Sequence, residues 1–182
     1  MYCYVVIYDQ NLNVLLAKKK ITGARFEGKK TNPTVLNYSG QEVFPGGDPK
    51  NAKDTTDGAL KEFTEETGVN LNSYIGNAKM WTKDFTYFSA TFCYIEDNKK
   101  GDLVKEATTN IASGKTDDDE LETVYFLDYK SAYLKLTTWD SSLTTPQAEQ
   151  ELSLRASKKK YNYQDKSWFK EMMDHLKTNN PF

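Results

Sequence analysis

Three glutamates, Glu62, Glu65 and Glu66, fall within one helical turn of each other in a chain that has a single histidine. A helix over Ala59 to Thr67 places them at i, i+3 and i+4, so their carboxylates share one face. Ala59, Leu60, Phe63 and Thr67 fall together on the adjoining, less polar face, and Gly68 can close the helix in the left-handed conformation. Carboxylates crowded this way repel one another, and Lys61 can pair with only one of them, Glu65 at i+4. A hard cation makes the cluster favourable. Magnesium takes oxygen ligands, binds through few carboxylates and works beside substrate phosphates. Upstream, Val43-Phe44-Pro45-Gly46-Gly47 runs an apolar strand end into a turn. There the missing Cβ atoms let backbone approach a ligand and leave carbonyl oxygens for a metal shell. Acids alone describe a solvated helix face; the turn, the intervening loop and the glycine stop argue for a site.

The stretch Val43 to Val69, 27 of 182 residues, resembles the box of the Nudix hydrolases, G-x5-E-x7-R-E-U-x-E-E-x-G-U with U apolar. Gly47 matches the opening glycine, and Glu62, Phe63, Glu65, Glu66, Gly68 and Val69 match the second half in type and spacing. Phe44, Pro45 and Gly46 match the F-P-G that commonly precedes the box. Two positions depart: Lys53 stands for the first glutamate and Lys61 for the arginine. Lys61 keeps the charge but loses the planar fork that orients a neighbouring glutamate; Asp54 or Asp57 could take over the role lost at Lys53.

The resemblance implies an α/β fold, a Nudix-like α/β/α sandwich with a mixed sheet and a loop-helix-loop box. It also implies a magnesium-dependent pyrophosphohydrolase, manganese being the alternative ion, that cleaves a diphosphate linkage in a nucleoside diphosphate derivative. ADP-ribose, dinucleotides and nucleoside triphosphates are the substrate types. By resemblance Glu62, Glu65 and Glu66 are metal ligands and catalytic groups, and the Gly47 carbonyl is a further ligand. By the same resemblance Glu120 is a candidate for a downstream catalytic carboxylate, with Glu122 and Asp117, Asp118 and Asp119 as alternatives. Arg25, Lys61 and Tyr38 are candidates for substrate binding, the cations for phosphate and Tyr38 for a base. The contrasting function is a catalytically weakened Nudix-like domain that binds a nucleotide or protein partner, which Lys53 and Lys61 favour.

The rest of the composition narrows the chemistry. One histidine, His175, expected on a helix surface, excludes His-rich zinc sites and argues against a Ser-His or Cys-His machine. A net charge of −2 gives no global reason to expect nucleic-acid binding. No apolar run approaches a membrane span. Met1 to Tyr8 alternates like a strand and has no basic start, so no signal peptide is expected. Cys3 and Cys93 sit in apolar strand-like runs and are expected as two buried thiols, in a reducing, cytoplasmic setting. A homodimer is compatible with the family.

One domain over 1–182 is expected, with extra C-terminal helices from about 146–182. Tyr2 to Tyr8 and Val14 to Lys18 read as a hairpin. Lys18, Lys19 and Lys20, with Arg25, Lys29 and Lys30 nearby, read as a solvated edge, some of whose cations could meet substrate phosphates. Gly23 to Gly40 reads as a long irregular loop, and Asn70 to Asn77 as a loop or short strand. Lys79 to Thr82 and Thr86 to Ile95 read as strands, the second central. Residues 96 to 120 read as a polar excursion around a short helix, Val104 to Ile111. A strand over Glu120 to Leu127 precedes helices at Asp128 to Leu136, Pro146 to Leu154 and Ser167 to Leu176, the last capped by Ser167 or Asp165.

Overall fold

Tyr2–Tyr8 (β1) carries Val5, Val6, Ile7 and Tyr8 with no exposed surface. A strand apolar on both faces must be covered on both. The computed structural model, which describes residues 1–76 and 79–181, shows how. Cys3 packs beside Gly58 of Thr55–Thr67 (α1). Its neighbour Tyr4 meets Trp168 and Phe169 of Ser167–Asn179 (the fifth helix, α5) on the opposite face. Successive strand residues point to opposite sides of a sheet, so helices lie on both sides, and the mixed α/β/α sandwich follows.

β1 pairs in parallel with Phe88–Tyr94 (β8), which in turn pairs antiparallel with Met80–Asp84 (β7). The hairpin to Val14–Lys19 (β2) forms as expected, but the register holds only at Tyr8↔Val14. From there the strands splay. The wedge between them is filled by Glu42–Val43 (β5) on β2 and Gly46–Gly47 (β6) on β1, with Phe44 and Pro45 crossing over. Val5 N–H donates to the Pro45 carbonyl at 2.9 Å. The glycine turn is therefore clamped inside the sheet, next to α1. On its other edge β2 pairs along its length with Leu121–Leu127 (β9).

Three expectations need correcting. Gly23 to Gly40 is not mostly irregular: Thr22–Phe26 (β3) and Lys29–Val35 (β4) form a separate antiparallel ribbon. Glu27 and Gly28 make its tight turn, both with positive φ, 51° and 72°. β4 is exposed almost throughout, so no burial alternation marks it, and Pro33 reads against a strand. Residues 96 to 120 hold a helix of 17 residues, Asp97–Ser113 (α2), anchored by buried Leu103, Ala107 and Ile111 at i, i+4 and i+8. Its first turns are polar, which hides their helical start. His175 is half-buried, its ring 5.3 Å from that of Phe92 and 5.8 Å from that of Phe85.

Leu71–Ser73 is a short 3₁₀ turn after the box; Asn77, the end of the stretch expected there as loop or strand, lies outside the described residues. Tyr129–Thr137 (α3), Pro146–Lys159 (α4) and α5 match the three expected helices, but the N-cap of α5 is Lys166, without a side-chain cap, and Asp165 one residue earlier accepts from Ser167 N–H at 2.8 Å. Among the described residues no helix is long and apolar enough to cross a membrane.

Cys3 and Cys93 are free and buried, and burial pushes both thiols above their ordinary range. Neither is therefore expected to react with an aromatic disulfide reagent in the native protein, whereas both react after denaturation. A fast native thiol count of one or two would contradict this packing.

Candidate active site

The box helix starts earlier than the acids suggest. Asp54 caps it by accepting from Asp57 N–H at 2.8 Å, and Gly68 ends it at φ 69° with its N–H on the Thr64 carbonyl. Phe63, fully buried, turns the apolar side into the core and contributes roughly 2–3 kcal/mol doing so. That rotation aims Glu62 and Glu66 at the Gly46–Gly47 turn. Glu66 accepts from Gly46 N–H at 2.9 Å. A Cβ on Gly47 would collide with the Glu62 carboxylate, and one on Gly46 with the Cys3 carbonyl and Tyr4. Gly46, with φ 149°, lets the turn lie against the β1 backbone, whereas a side chain at position 47 would displace the Glu62 carboxylate from its place.

Both carboxylates pay for that approach in hydration. Glu62 is 8% exposed and Glu66 2%. Burial, then the neighbouring Glu66, Glu65 and Asp118, push Glu62 up to about 8. Glu66 is also raised by burial, against the opposing pull of Lys19 and the Gly46 N–H. Glu65, more open, is raised by burial together with Asp118 and Asp117.

Lys19 is the cation that enters this cluster. Its ammonium lies 3.5 Å from Glu66 Oε1 and is bonded to Glu120. A β-bulge between Lys18 and Lys19 re-aims the side chain inward. Lys18 and Lys20 instead pair outside with Glu122 and Asp119.

Of the downstream acids, Glu120 and Asp118 are thus brought to the site, exposed Asp117 bears on Glu65, and Asp119 and Glu122 pair with Lys20 and Lys18 instead. The β3–β4 ribbon holds Asp118 there: Glu27 N–H donates to its carboxylate at 2.6 Å, and Asp118 N–H donates to the Glu65 carbonyl at 3.0 Å. Sequence reasoning grouped Asp118 and Lys19 with their neighbours; bulge and ribbon single them out, and neither has a local sequence signal.

The substrate candidates separate. Tyr38 lines a cavity of about 510 Å³ that also reaches Lys19, Gly46, Gly47 and Glu120. Arg25 does not line it; its guanidinium donates to Thr116 at 3.2 Å beside Gly114. Lys61 is also turned elsewhere. It pairs with Asp57, at 3.3 Å, and not with Glu65, and it donates to the Asn51 carbonyl at 3.0 Å. Asp57 also accepts from Lys53 N–H at 3.0 Å. The Asp57–Lys61 pair therefore ties the loop before the helix to the helix itself. Lys61→Ala is expected to cost about 0.5–1 kcal/mol in urea unfolding, as an exposed pair should; a loss above about 2 kcal/mol would mean the loop is held by this lysine alone.

A family model for the NUDIX domain matches residues 3–146. The chain belongs to the NUDIX domain family. A search among curated proteins gave no match. Among solved structures, the chain is similar to an Ap4A hydrolase from C. elegans, at 12% identity and TM-score 0.44, over 74% of this chain and 85% of that one. A mutT/nudix family protein from Listeria innocua shows 10% identity and TM-score 0.43, over 72% and 80%. A NUDIX hydrolase from Nitrosomonas europaea shows 12% and 0.37, over 88% and 90%.

Nudix domains generally use divalent metals, and the residues here can be tested against that need. The donors are all oxygens, hard ligands suited to magnesium or manganese. Glu62, Glu65 and Glu66 are all raised, by burial first and then by neighbouring acids, Asp118 bearing on all three. Among the described residues no three His, Cys, Asp or Glu side chains converge closely enough to hold a metal ion. The donor chemistry of this Nudix site fits a hard divalent cation; the Lys19 ammonium meanwhile supplies part of the missing charge.

Proposed function

We propose that this Nudix chain is a magnesium-dependent pyrophosphohydrolase that cleaves a diphosphate linkage in a nucleoside diphosphate derivative. The observation that carries the proposal is the trio Glu62, Glu65 and Glu66 on one helix, all raised by burial and by nearby acids, with Glu62 and Glu66 set against the Gly46–Gly47 turn. These three carboxylates and the Gly47 carbonyl would hold the ion. When bound, a divalent cation neutralises phosphate charge and lowers the pKa of a water. The chain's own groups do the rest. A carboxylate, one of the box glutamates with raised proton affinity or Glu120, accepts the water's proton. Lys19, beside Glu120 and at the cavity wall, meets a phosphate oxygen. The reaction needs no covalent intermediate. The proposal includes one domain over the whole chain, the C-terminal helices included, in a cytoplasmic setting.

The second reading is a weakened domain that binds without turnover. What favours it is Lys53 and Lys61 at box positions, together with the Lys19 ammonium already paired with Glu66 and Glu120. The test is incubation with magnesium and ADP-ribose, dinucleotides or nucleoside triphosphates, with product measured. Turnover that a chelator abolishes supports the hydrolase. Absence of turnover, with nucleotide binding that survives the chelator, selects the binding domain.

A further inference from the structure

The cavity that touches the box does not end there. From Lys19, Gly47 and Glu120 it continues to a wall made by the segment between α4 and α5 and by the start of α5. That wall, Tyr161, Tyr163, Trp168 and Phe169, lies beyond residue 146, outside the stretch that the NUDIX model matches. Facing it are Tyr2 and Tyr4 from β1 and Tyr38 from the loop after β4. The rings are arranged against one another: Tyr2 and Trp168 lie 5.5 Å apart, Tyr38 and Phe169 5.2 Å.

Two features show a built pocket at the aromatic end. Tyr38 holds its ring there from a left-handed backbone, φ 57°, a conformation that bulky residues rarely adopt. Its hydroxyl donates to the Asp165 carbonyl at 3.2 Å, joining the two walls. Lys166, next to the wall, is buried and donates to the carbonyls of Lys135 at 2.7 Å and Thr138 at 3.1 Å, which fastens the entry of α5 to the end of α3. Polar edges are present as well: Asn162, Asp165 and Lys159 line the same space.

We infer that this C-terminal wall is a nucleobase subsite, so that the segment from Tyr161 to Phe169 sets which base the enzyme accepts. The volume, about 510 Å³, suits a nucleotide. Phe169 is buried and Trp168 stacks on Phe88 at 5.1 Å, so the exposed rings of Tyr161 and Tyr2, at the border of Trp168, are the faces that can take a planar heterocycle by stacking, and the neighbouring amide and carboxylate can read its edge. A base at Trp168 leaves the attached phosphates pointing along the cavity to Lys19 and Gly47. The inference rests on the hydrolase reading only for what happens at that phosphate end.

The experiment uses the full chain in a chelator, with AMP, GMP, CMP, UMP and ribose 5-phosphate as probes, followed by tryptophan fluorescence and calorimetry. At least one nucleotide is expected to bind tenfold or more tighter than ribose 5-phosphate. Tyr161→Ala, at a position 40% exposed, is expected to stay folded and weaken that nucleotide about 5- to 100-fold, the range of a lost stacking partner. Trp168→Phe is expected to remove most of the fluorescence response while binding persists in calorimetry. Equal affinity for the nucleotides and ribose 5-phosphate would overturn the inference, as would a folded Tyr161→Ala that binds unchanged. The hydrolase reading fails differently: binding with base preference but no turnover with magnesium sinks that reading and leaves this one standing.

Discussion

Glu66→Gln should leave the chain folded and lower diphosphate hydrolysis by about 10³-fold or more, close to 4 kcal/mol of barrier. The amide is nearly the same size, and its oxygen can still accept from Gly46 N–H, the bond the native carboxylate makes at 2.9 Å. Packing is thus preserved while the charge is lost. That charge is what a divalent ion and its phosphates need, and at 2% exposure no water can substitute for it. Glu65→Gln should produce a loss of the same order with almost no change in stability, because Glu65 is only half-buried. The measurement is kcat/KM with magnesium, alongside a thermal melt. A folded Glu66→Gln protein within tenfold of the native rate would show that catalysis runs on other groups.

The box was legible because its meaning lies in local spacing. Three acids on one turn, a glycine stop after them and a Gly-Gly turn before them leave few structural options, and the helix and turn meet as that spacing requires. Tyr2–Tyr8 and Leu121–Leu127 were legible for a similar reason: short apolar, β-branched and aromatic runs have a characteristic length. The parts that were not legible depend on contacts distant in sequence. Lys19 reads as one of three equivalent lysines until a bulge turns it inward. Asp118 reads as one of three aspartates until the β3–β4 ribbon, itself hidden by exposure and Pro33, donates to it. The cavity is the clearest case. Tyr38 and Trp168 are 130 residues apart by their numbers, and only the wrapping of α5 across β1 brings them to one space. The Lys61–Asp57 pair shows a subtler limit: i→i+4 and i→i−4 partners were both available, and the loop's need for an acceptor at Asp57 selected the second.

The same carboxylates that should serve catalysis should weaken the metal-free fold, and Glu62 gives the sharpest test. In the folded chain its proton affinity is raised to about 8, whereas an unfolded glutamate titrates near 4.5. Between those two values the folded state holds a proton that the unfolded state has released. Stability then falls as pH rises through that window, since the native form binds more protons than the unfolded one. Glu62→Gln removes the dependence by keeping the site neutral. At pH 5 the two proteins should melt together. At pH 8.5, in a chelator, the variant should be more stable by about 2–4 kcal/mol, after allowance for residual solvent screening. For a chain of this size that is a melting point higher by about 5–10 °C. Added magnesium should reverse the order, because it binds and stabilises only the protein that keeps the carboxylate. Melting curves at both pH values, with and without magnesium, check all of this. A difference between the two proteins that is the same at pH 5 and pH 8.5 would mean Glu62 is already ionised at low pH, with its charge compensated within the protein, and the crowding argument for a cation at this site would lose its basis.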